Sequence, residues 1–357
     1  MHGSFRRGFA LAVCLGFLGG GKLFALAVTG TIGTALEQFE SSVSNYNLVS
    51  LGNATFENYS QTEAGLAVGG NLTLIGTGAI AAQPGTFGLN GNPTLYVSGS
   101  LSLTGTAMLN SGYASIAQAS GYVWNASNHD LSGATGDLNV TNAGSGPYSN
   151  SSPLSNPGPA GWNWSTTSSN LLNAANVLSA AAVTGTISVN SQNLVLTANG
   201  TPTAGSVVVF ELDANLLGTN TYNGQTLSNI SINVPADVTY VINVVNAGGK
   251  TVFGSGVNFN SGSNDTSLIW NIEGSGDVTL GGGQFYGAVL APSVSLSNVA
   301  NTKFVGQVAA ASFTDNDASM NFEQFVSAVA VPEPATFALW GLGLCGLAIL
   351  ARRRLEG

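Results

Sequence analysis

The sequence has 357 residues, of which only 7% are charged and 44% are hydrophobic. Ordinary soluble domains carry about 25% charged residues, so this composition excludes a disordered polyelectrolyte, a coiled coil and a typical cytosolic helical enzyme. The 48 glycines favour strands and turns over helices. The formal net charge of −9 argues against a nucleic acid partner, because phosphate binding needs a basic surface.

The first 27 residues have the three parts of a secretory signal peptide. Arg6 and Arg7 form the positive region, an apolar run covers 9–18, and Ala25 and Ala27 supply the small residues of a cleavage site. A glycine-rich interruption makes the apolar run too short for a permanent span, which needs about 20 apolar residues. We therefore expect export and cleavage after Ala27.

The segment 28–330 forms the body of the protein and contains no arginine and no cysteine, so no intrachain disulfide can hold it together. Its two lysines, Lys250 and Lys303, stand against fifteen acidic residues, which gives a formal charge of about −13. In the leader, Cys14 follows a Leu-Ala-Val sequence that loosely resembles a lipoprotein box. Lipid anchoring through Cys14 is therefore an alternative to cleavage after Ala27.

Short alternating segments punctuated by Gly and Asn predict β-strands throughout the body. They include 71–75, 94–97, 100–103, 206–210, 231–234, 238–245, 267–272 and 277–280. Helical periodicity is convincing only at 170–182, and 35–39 is compatible with a short helical start.

Two internal repeats indicate how the strands are arranged. The segment 68–77 realigns with 97–106 after 29 residues, and 284–291 realigns with 303–310 after 19 residues. Apolar side chains that recur in phase at such spacings are typical of successive rungs of a β-solenoid. The predicted fold class is therefore mainly β, a β-solenoid or β-helix-like body with one short helix, flanked by a signal helix and a C-terminal transmembrane helix. A β-sandwich is the alternative.

An Asn-, Ser- and Pro-rich excursion at about 141–169 interrupts the body and carries Trp162 and Trp164. In an extended segment these two side chains face the same side, and paired rings could stack on sugar faces. They are candidate carbohydrate contacts. The alternative, which we favour, is that they pin the excursion to the body.

Catalytic chemistry has few candidates. The body has a single histidine, His129, so neither a nucleophile–base pair nor a zinc site can be assembled around it. The i, i+2 pairs Glu211/Asp213 and Asp315/Asp317 could serve a glycoside hydrolase or bind calcium if each pair shares a face. Solvated strand-end carboxylates are the favoured interpretation, so we expect no catalytic residue, no metal and no cofactor.

The C-terminal segment 331–357 has three parts in order. The first is the motif Val331, Pro332, Glu333, Pro334, Ala335 and Thr336; an apolar run over 337–351 and the basic tail Arg352, Arg353 and Arg354 follow. Proline stiffens the motif into an extended form, and the arginines hold the end of the apolar helix on the cytoplasmic side. The arrangement resembles the PEP-CTERM sorting signal of Gram-negative bacteria. The resemblance implies an exosortase-type protease as partner and transient membrane anchoring; a plain single-pass anchor is the alternative.

The body also resembles the choice-of-anchor A domain of bacterial surface proteins. The matching stretches are 46–52, 65–74, 241–244, 285–292 and 306–308. This resemblance implies a secreted adhesive surface domain and brings no catalytic residues. We expect an exported surface or biofilm-matrix protein that binds extracellular polysaccharide; the alternative is an extracellular glycoside hydrolase on a β-solenoid.

Overall fold

The structure, a computed structural model, describes residues 31–329 except 59–60, 83–91, 141–147, 149–150, 233, 236, 255, 262–264 and 318. The predicted signal peptide and the predicted sorting signal lie outside these residues. Within the described part, no helix is long and apolar enough to cross a membrane.

The described residues contain two α-helices, where the sequence predicts one. Helix α1 (Ile32–Val43) begins at Thr31, whose hydroxyl accepts a hydrogen bond from the Thr34 N–H. Helix α2 (Trp164–Ser179) begins six residues before the predicted start, because the Asn163 side chain caps it by accepting from the Thr166 N–H at 3.1 Å. Neither helix has an acidic residue in its first turn or a basic residue in its last turn. Tertiary packing therefore supplies most of their stability.

The strands are short. The first eleven are β1 (Tyr46–Ser50), β2 (Ala54–Glu57), β3 (Gln61–Thr62), β4 (Gly65–Val68), β5 (Leu72–Ile75), β6 (Gly78–Ile80), β7 (Leu95–Leu109), β8 (Ala114–Gln118), β9 (Tyr122–Asn125), β10 (Asp130–Gly133) and β11 (Gly136–Asn139). The next ten are β12 (Gly185–Asn190), β13 (Asn193–Ala198), β14 (Ser206–Asp213), β15 (Leu217–Gly218), β16 (Thr221–Tyr222), β17 (Gln225–Thr226), β18 (Asn229–Ile232), β19 (Val238–Val245), β20 (Lys250–Val252) and β21 (Asn258–Ser261). The last seven are β22 (Leu268–Ile272), β23 (Gly276–Leu280), β24 (Gln284–Tyr286), β25 (Ala288–Asn298), β26 (Lys303–Val305), β27 (Val308–Asn316) and β28 (Ser319–Asn321).

Parallel stacking of these strands builds three walls of a solenoid. The helix wall runs β14, β19, β22, β25, β27, β1, β4, β7, β8. The open wall runs β20, β23, β25, β27, β2, β5, β7. The third wall runs β24, β26, β28, β3, β6, β7, β11. Parallel pairing within the walls confirms the solenoid-like prediction and disfavours the β-sandwich alternative.

The two sequence repeats correspond to observed registers. Leu72 pairs with Leu101, which is the 29-residue repeat, and Phe285 pairs with Phe304, which is the 19-residue repeat. The stacking order is not the chain order, however. The C-terminal strand β27 lies directly against the N-terminal strands β1 and β2, so the two ends of the body close into one stack.

The inward side chains of the walls form a continuous apolar core. An aromatic stack runs through it: the ring centroids of Phe285 and Phe304, Phe304 and Phe313, and Phe313 and Phe56 are 6.0, 5.9 and 5.7 Å apart. Such contacts between buried rings add stability beyond the area they bury.

Both helices cover the helix wall and form a second apolar cluster with its outward residues. Two buried asparagines hold α2 in place. The Asn243 amide donates to the Leu178 carbonyl at 2.8 Å, and the Asn271 amide donates to the Ala175 carbonyl at 3.1 Å.

The described end of the excursion protects the edge of β8. The Ile116 N–H donates to the Pro153 carbonyl, and the Asn156 amide donates to the Ala114 carbonyl. A parallel edge closed in this way is unavailable for pairing with another chain.

The segment 322–329, which we name the strap, runs back along the helix side of the body. The Phe325 ring is buried and meets the Phe39 ring edge-on, with the ring centroids 5.5 Å apart. The backbone N–H of Phe325 donates to the Gln307 side chain. The Ser327 N–H donates to the Glu40 carboxylate. The described chain therefore ends at the helix side of the molecule.

Candidate functional site

The open wall carries a row of hydroxyl side chains, one on each rung. We name it the hydroxyl ladder; in stacking order it consists of Thr251, Thr279, Ser297, Thr314, Thr55, Thr73 and Ser102. Side chains on a strand alternate between faces. The flanking residues, such as Phe313 and Leu72, point into the core, so the ladder points outward.

The spacing of the ladder is set by the backbone. Adjacent strands lie about 4.7–4.9 Å apart, so the seven rungs span roughly 29 Å. Five of the seven hydroxyls make no side-chain hydrogen bond with another described residue; Thr279 and Ser297 share one at 3.0 Å. The ladder is therefore a regular, uncharged row of hydroxyl donors and acceptors.

A second row of polar side chains lies in the turns beside the ladder. The Asn53 side chain accepts from the Asn71 N–H at 2.8 Å, and the Asn71 side chain accepts from both the N–H and the hydroxyl of Ser100 at 2.9 Å. These asparagine bridges tie together the turns that precede β2, β5 and the open-wall part of β7, so they support the register of the three N-terminal rungs of the ladder.

The two candidate tryptophans lie where the excursion meets α2. Trp162 precedes the helix and Trp164 is its first residue, so they do not form an extended pair; their rings meet edge-on at 5.2 Å and 77°. Trp164 stacks on Tyr96 at 5.6 Å, and Trp162 meets Tyr46 edge-on at 5.6 Å. This packing supports the interpretation that they pin the excursion to the body. A carbohydrate contact remains a prediction.

The carboxylate pairs behave differently from each other. Asp315 is buried at 1% exposure, whereas Asp317 is exposed with φ of +57°. Strand β27 ends at Asn316, so the alternation breaks and the predicted shared face of this pair is wrong.

Glu211 and Asp213 do face outward together on β14, as predicted. Asp213 accepts hydrogen bonds from the Asn246 amide and the Asn215 N–H, both at 2.9 Å. These bonds hold the pKa of the Asp213 carboxyl below its usual value. The carboxylate thereby caps a turn, which is a structural role.

Acidic, histidine and cysteine side chains are the metal ligands to consider in the part of the chain that the structure describes. It contains no group of three or more His, Cys, Asp or Glu side chains that could hold a metal ion. His129 stacks on Trp124 at 6.5 Å on a surface hairpin.

Comparison with known proteins identifies the body. Residues 39–322 match the family described as the ice-binding-like adhesive domain. The chain belongs to this family. Residues 330–354 match the PEP-CTERM protein-sorting motif, which confirms the sorting signal predicted from the C-terminal sequence. The protein is therefore a surface-sorted, exported member of the ice-binding-like adhesive domain family.

Solved structures that match most of this chain include ice-binding proteins. One from an Arctic yeast has 12% identity, covers 86% of this chain and 99% of its own, and has a TM-score of 0.35. One from the Antarctic ascomycete Antarctomyces psychrotrophicus has 13% identity, with coverages of 85% and 100% and a TM-score of 0.33. Ice-binding protein 1 from Shewanella frigidimarina has 13% identity, with coverages of 79% and 96% and a TM-score of 0.32. No curated protein sequence matches the chain.

The hydroxyl ladder was not predicted from the sequence. A signal was present, because the 29-residue repeat aligns Thr73 with Ser102, two outward hydroxyls at the same phase. The junction between Thr314 and Thr55 has no such signal, because it joins segments from opposite ends of the body.

Proposed function

We propose that this protein is a cell-surface or biofilm-matrix adhesin that holds extracellular polysaccharide along its hydroxyl ladder. The observation that supports the proposal is the uncharged row of hydroxyl groups across seven parallel rungs. A polysaccharide is also a polymer with hydroxyls at regular intervals, so one chain lying across the rungs can form many weak hydrogen bonds at once. Multivalent contact of this kind gives avidity without a deep pocket.

The placement of the strap supports this function. The strap leaves the body on the helix side, where Val329 packs against the cluster that the two helices form with the helix wall. The ladder lies on a different wall. Attachment through the sorting tail therefore leaves the ladder open to solvent.

The proposed processing follows the targeting segments predicted from the sequence. We place a signal peptide at 1–27, the exported body at 28–330 and the sorting segment at 331–357. An exosortase-type protease of a Gram-negative bacterium cleaves within the motif Val331 to Thr336, and the segment 337–351 anchors the chain in the membrane until then. The resemblance to choice-of-anchor A domains fits the same sequence of events.

Ordered water is a second candidate ligand for the same wall. The family description favours it, and a fixed hydroxyl spacing suits a lattice of water molecules as well as a sugar polymer. Ice affinity and polysaccharide affinity are distinguishable, because soluble sugars compete only with the latter.

The test uses the full-length chain in a detergent without sugar groups and sedimentation with cellulose or chitin particles. Thr314→Tyr, at the central rung, places a bulky ring across the ladder on an exposed strand position that tolerates aromatics. We expect it to weaken polymer binding at least about tenfold, the equivalent of losing one or two hydrogen bonds. The matched control is Thr186→Tyr, an exposed strand residue of the β12–β13 hairpin. Equal binding by the two variants would contradict the proposal.

A further inference from the structure

A cavity lies at the junction of the two helices, away from the hydroxyl ladder. It has a volume of about 340 Å³ and is lined by the end of α1, the start of α2 and the loop that leads into α2. This volume falls within the range of roughly 300–1,000 Å³ that small-molecule sites occupy.

The lining carries no charged side chain. Its polar side chains include Ser41, Asn45, Asn163, Thr166 and Asn170. The amides of Asn45 and Asn170 make no side-chain hydrogen bond with another described residue. Each amide offers both a donor and an acceptor, so the pair can bind hydroxyl groups but gives no electrostatic preference for an ion.

The backbone adds the same mixture of groups. The last turn of α1 ends in carbonyl oxygens without intrahelical donors, and the first turn of α2 begins with N–H groups without intrahelical acceptors. Two of these groups already have partners: the Val43 carbonyl accepts from the Gln307 side chain, and the Thr166 N–H donates to the Asn163 side chain. The partial charges of the two helix ends are opposite and meet at one cavity. The cavity is therefore neutral overall and rich in donors and acceptors.

Trp162 supplies the apolar part of the lining. Its three described aromatic contacts, to Tyr46, Tyr96 and Trp164, all meet edge to face at angles of 77–83°. Its indole N–H is closed off from solvent and has no acceptor among the described residues. Because Nε1 has no exposed surface, Trp162 offers its ring, and not its N–H, to the cavity.

We infer that this cavity binds one neutral sugar ring, such as a terminal unit of a neutral glycan. A pyranose has apolar C–H groups for the indole, and its hydroxyls each donate and accept for the amides and the helix ends. An anionic sugar or a phosphate is disfavoured because no cation lines the cavity. This site goes beyond the proposed polymer binding, since it uses other residues on another side of the molecule.

The test is a calorimetric titration of the full-length chain, in a detergent without sugar groups, with glucose, galactose and N-acetylglucosamine. Glucuronate is the charged comparator. We expect saturable binding of at least one neutral sugar and at least about tenfold weaker binding of glucuronate. No saturable binding of any of the three, or glucuronate binding as tightly as glucose, would overturn the inference.

Two variants locate the binding. Thr166→Trp fills the cavity from an exposed helix position and is expected to abolish sugar binding; Ser169→Trp, also exposed on α2 but outside the cavity, should leave it unchanged. Asn170→Leu keeps the branched shape of the side chain and removes the amide, and should weaken binding about tenfold. Sugar binding that survives both Thr166→Trp and Asn170→Leu refutes the site.

The ladder provides the remaining comparison. Thr314→Tyr should leave the sugar titration intact, and Thr166→Trp should leave polymer sedimentation intact. Loss of sugar binding in Thr314→Tyr would contradict a separate site. If the polymer does not bind while the neutral sugar does, the proposed ladder function is wrong and the cavity proposal stands.

Discussion

Glu40 connects helix α1 to the strap. Burial raises the pKa of its carboxyl above the usual value, although the hydrogen bond from the Ser327 N–H acts in the opposite direction. The folded state therefore binds the proton more tightly than the unfolded chain does. Protonation favours folding below the usual pKa of the side chain, and this contribution is lost as the pH rises through the raised pKa.

This predicts that Glu40→Gln raises the melting temperature at pH 7 and changes it little at pH 4. Glutamine keeps an acceptor for the Ser327 N–H but has no charge to desolvate. The measurement is thermal unfolding followed by circular dichroism at both pH values, with Glu57→Gln at an exposed strand end as control. Equal stabilisation at the two pH values would show that the desolvated charge is not the cause.

Single residues also mark the limit of sequence-based prediction. The i, i+2 rule placed Glu211 and Asp213 correctly because both lie inside β14. It failed for Asp315 and Asp317 because the strand ends between them and Asp317 adopts a left-handed conformation. The end of a strand depends on contacts with neighbouring rungs, which the local pattern does not contain.

At the scale of elements, repeats within the chain predicted register well. Realigning the two internal repeats gives the pairings of β5 with β7 and of β24 with β26. The helices were harder, because α2 begins in a Ser- and Thr-rich stretch with weak periodicity and depends on its Asn163 cap and on burial against the helix wall. Packing therefore overrode a weak local propensity.

The turn glycines of successive rungs give an element-scale prediction. Gly105 has φ of +104°, and a Cβ there would collide with the Gly76 carbonyl oxygen of the neighbouring rung. Gly121 has φ of +85° and open space around it. Gly121→Ala should cost only the backbone strain of about 1–2 kcal/mol, whereas Gly105→Ala should cost at least about 3 kcal/mol because the rungs must also move apart. Denaturant unfolding of both variants measures the difference, and similar losses would contradict tight rung stacking.

At the scale of the whole molecule, closure of the stack could not be predicted. The β27–β1 and β27–β2 pairings join segments more than 250 residues apart, and no internal repeat relates them. The ladder depends on this closure, because its four C-terminal rungs and its three N-terminal rungs become continuous only there. The sequence therefore indicated a polar, acidic exported body with few charged residues, but not the surface that the body presents.

The sorting segment gives a whole-molecule prediction. Deletion of 332–357 leaves the strap, 322–329, and all other described residues in place. We expect the truncated protein to move from the cell fraction to the medium in a host with an exosortase, as detected by immunoblotting. If the truncated and the full-length chains partition equally, the tail is not the attachment device.

The most direct test of the account compares polymer affinity at both ends and at the centre of the ladder. Thr251→Tyr, Thr314→Tyr and Ser102→Tyr alter the first, fourth and seventh rungs, which are separated by roughly 14 Å each. If one polysaccharide chain lies across the whole ladder, each variant weakens binding to the same particles and the central one weakens it most, while Thr186→Tyr binds as the unaltered chain does. Undiminished binding by all three ladder variants would contradict the assignment of the open wall as the adhesive surface.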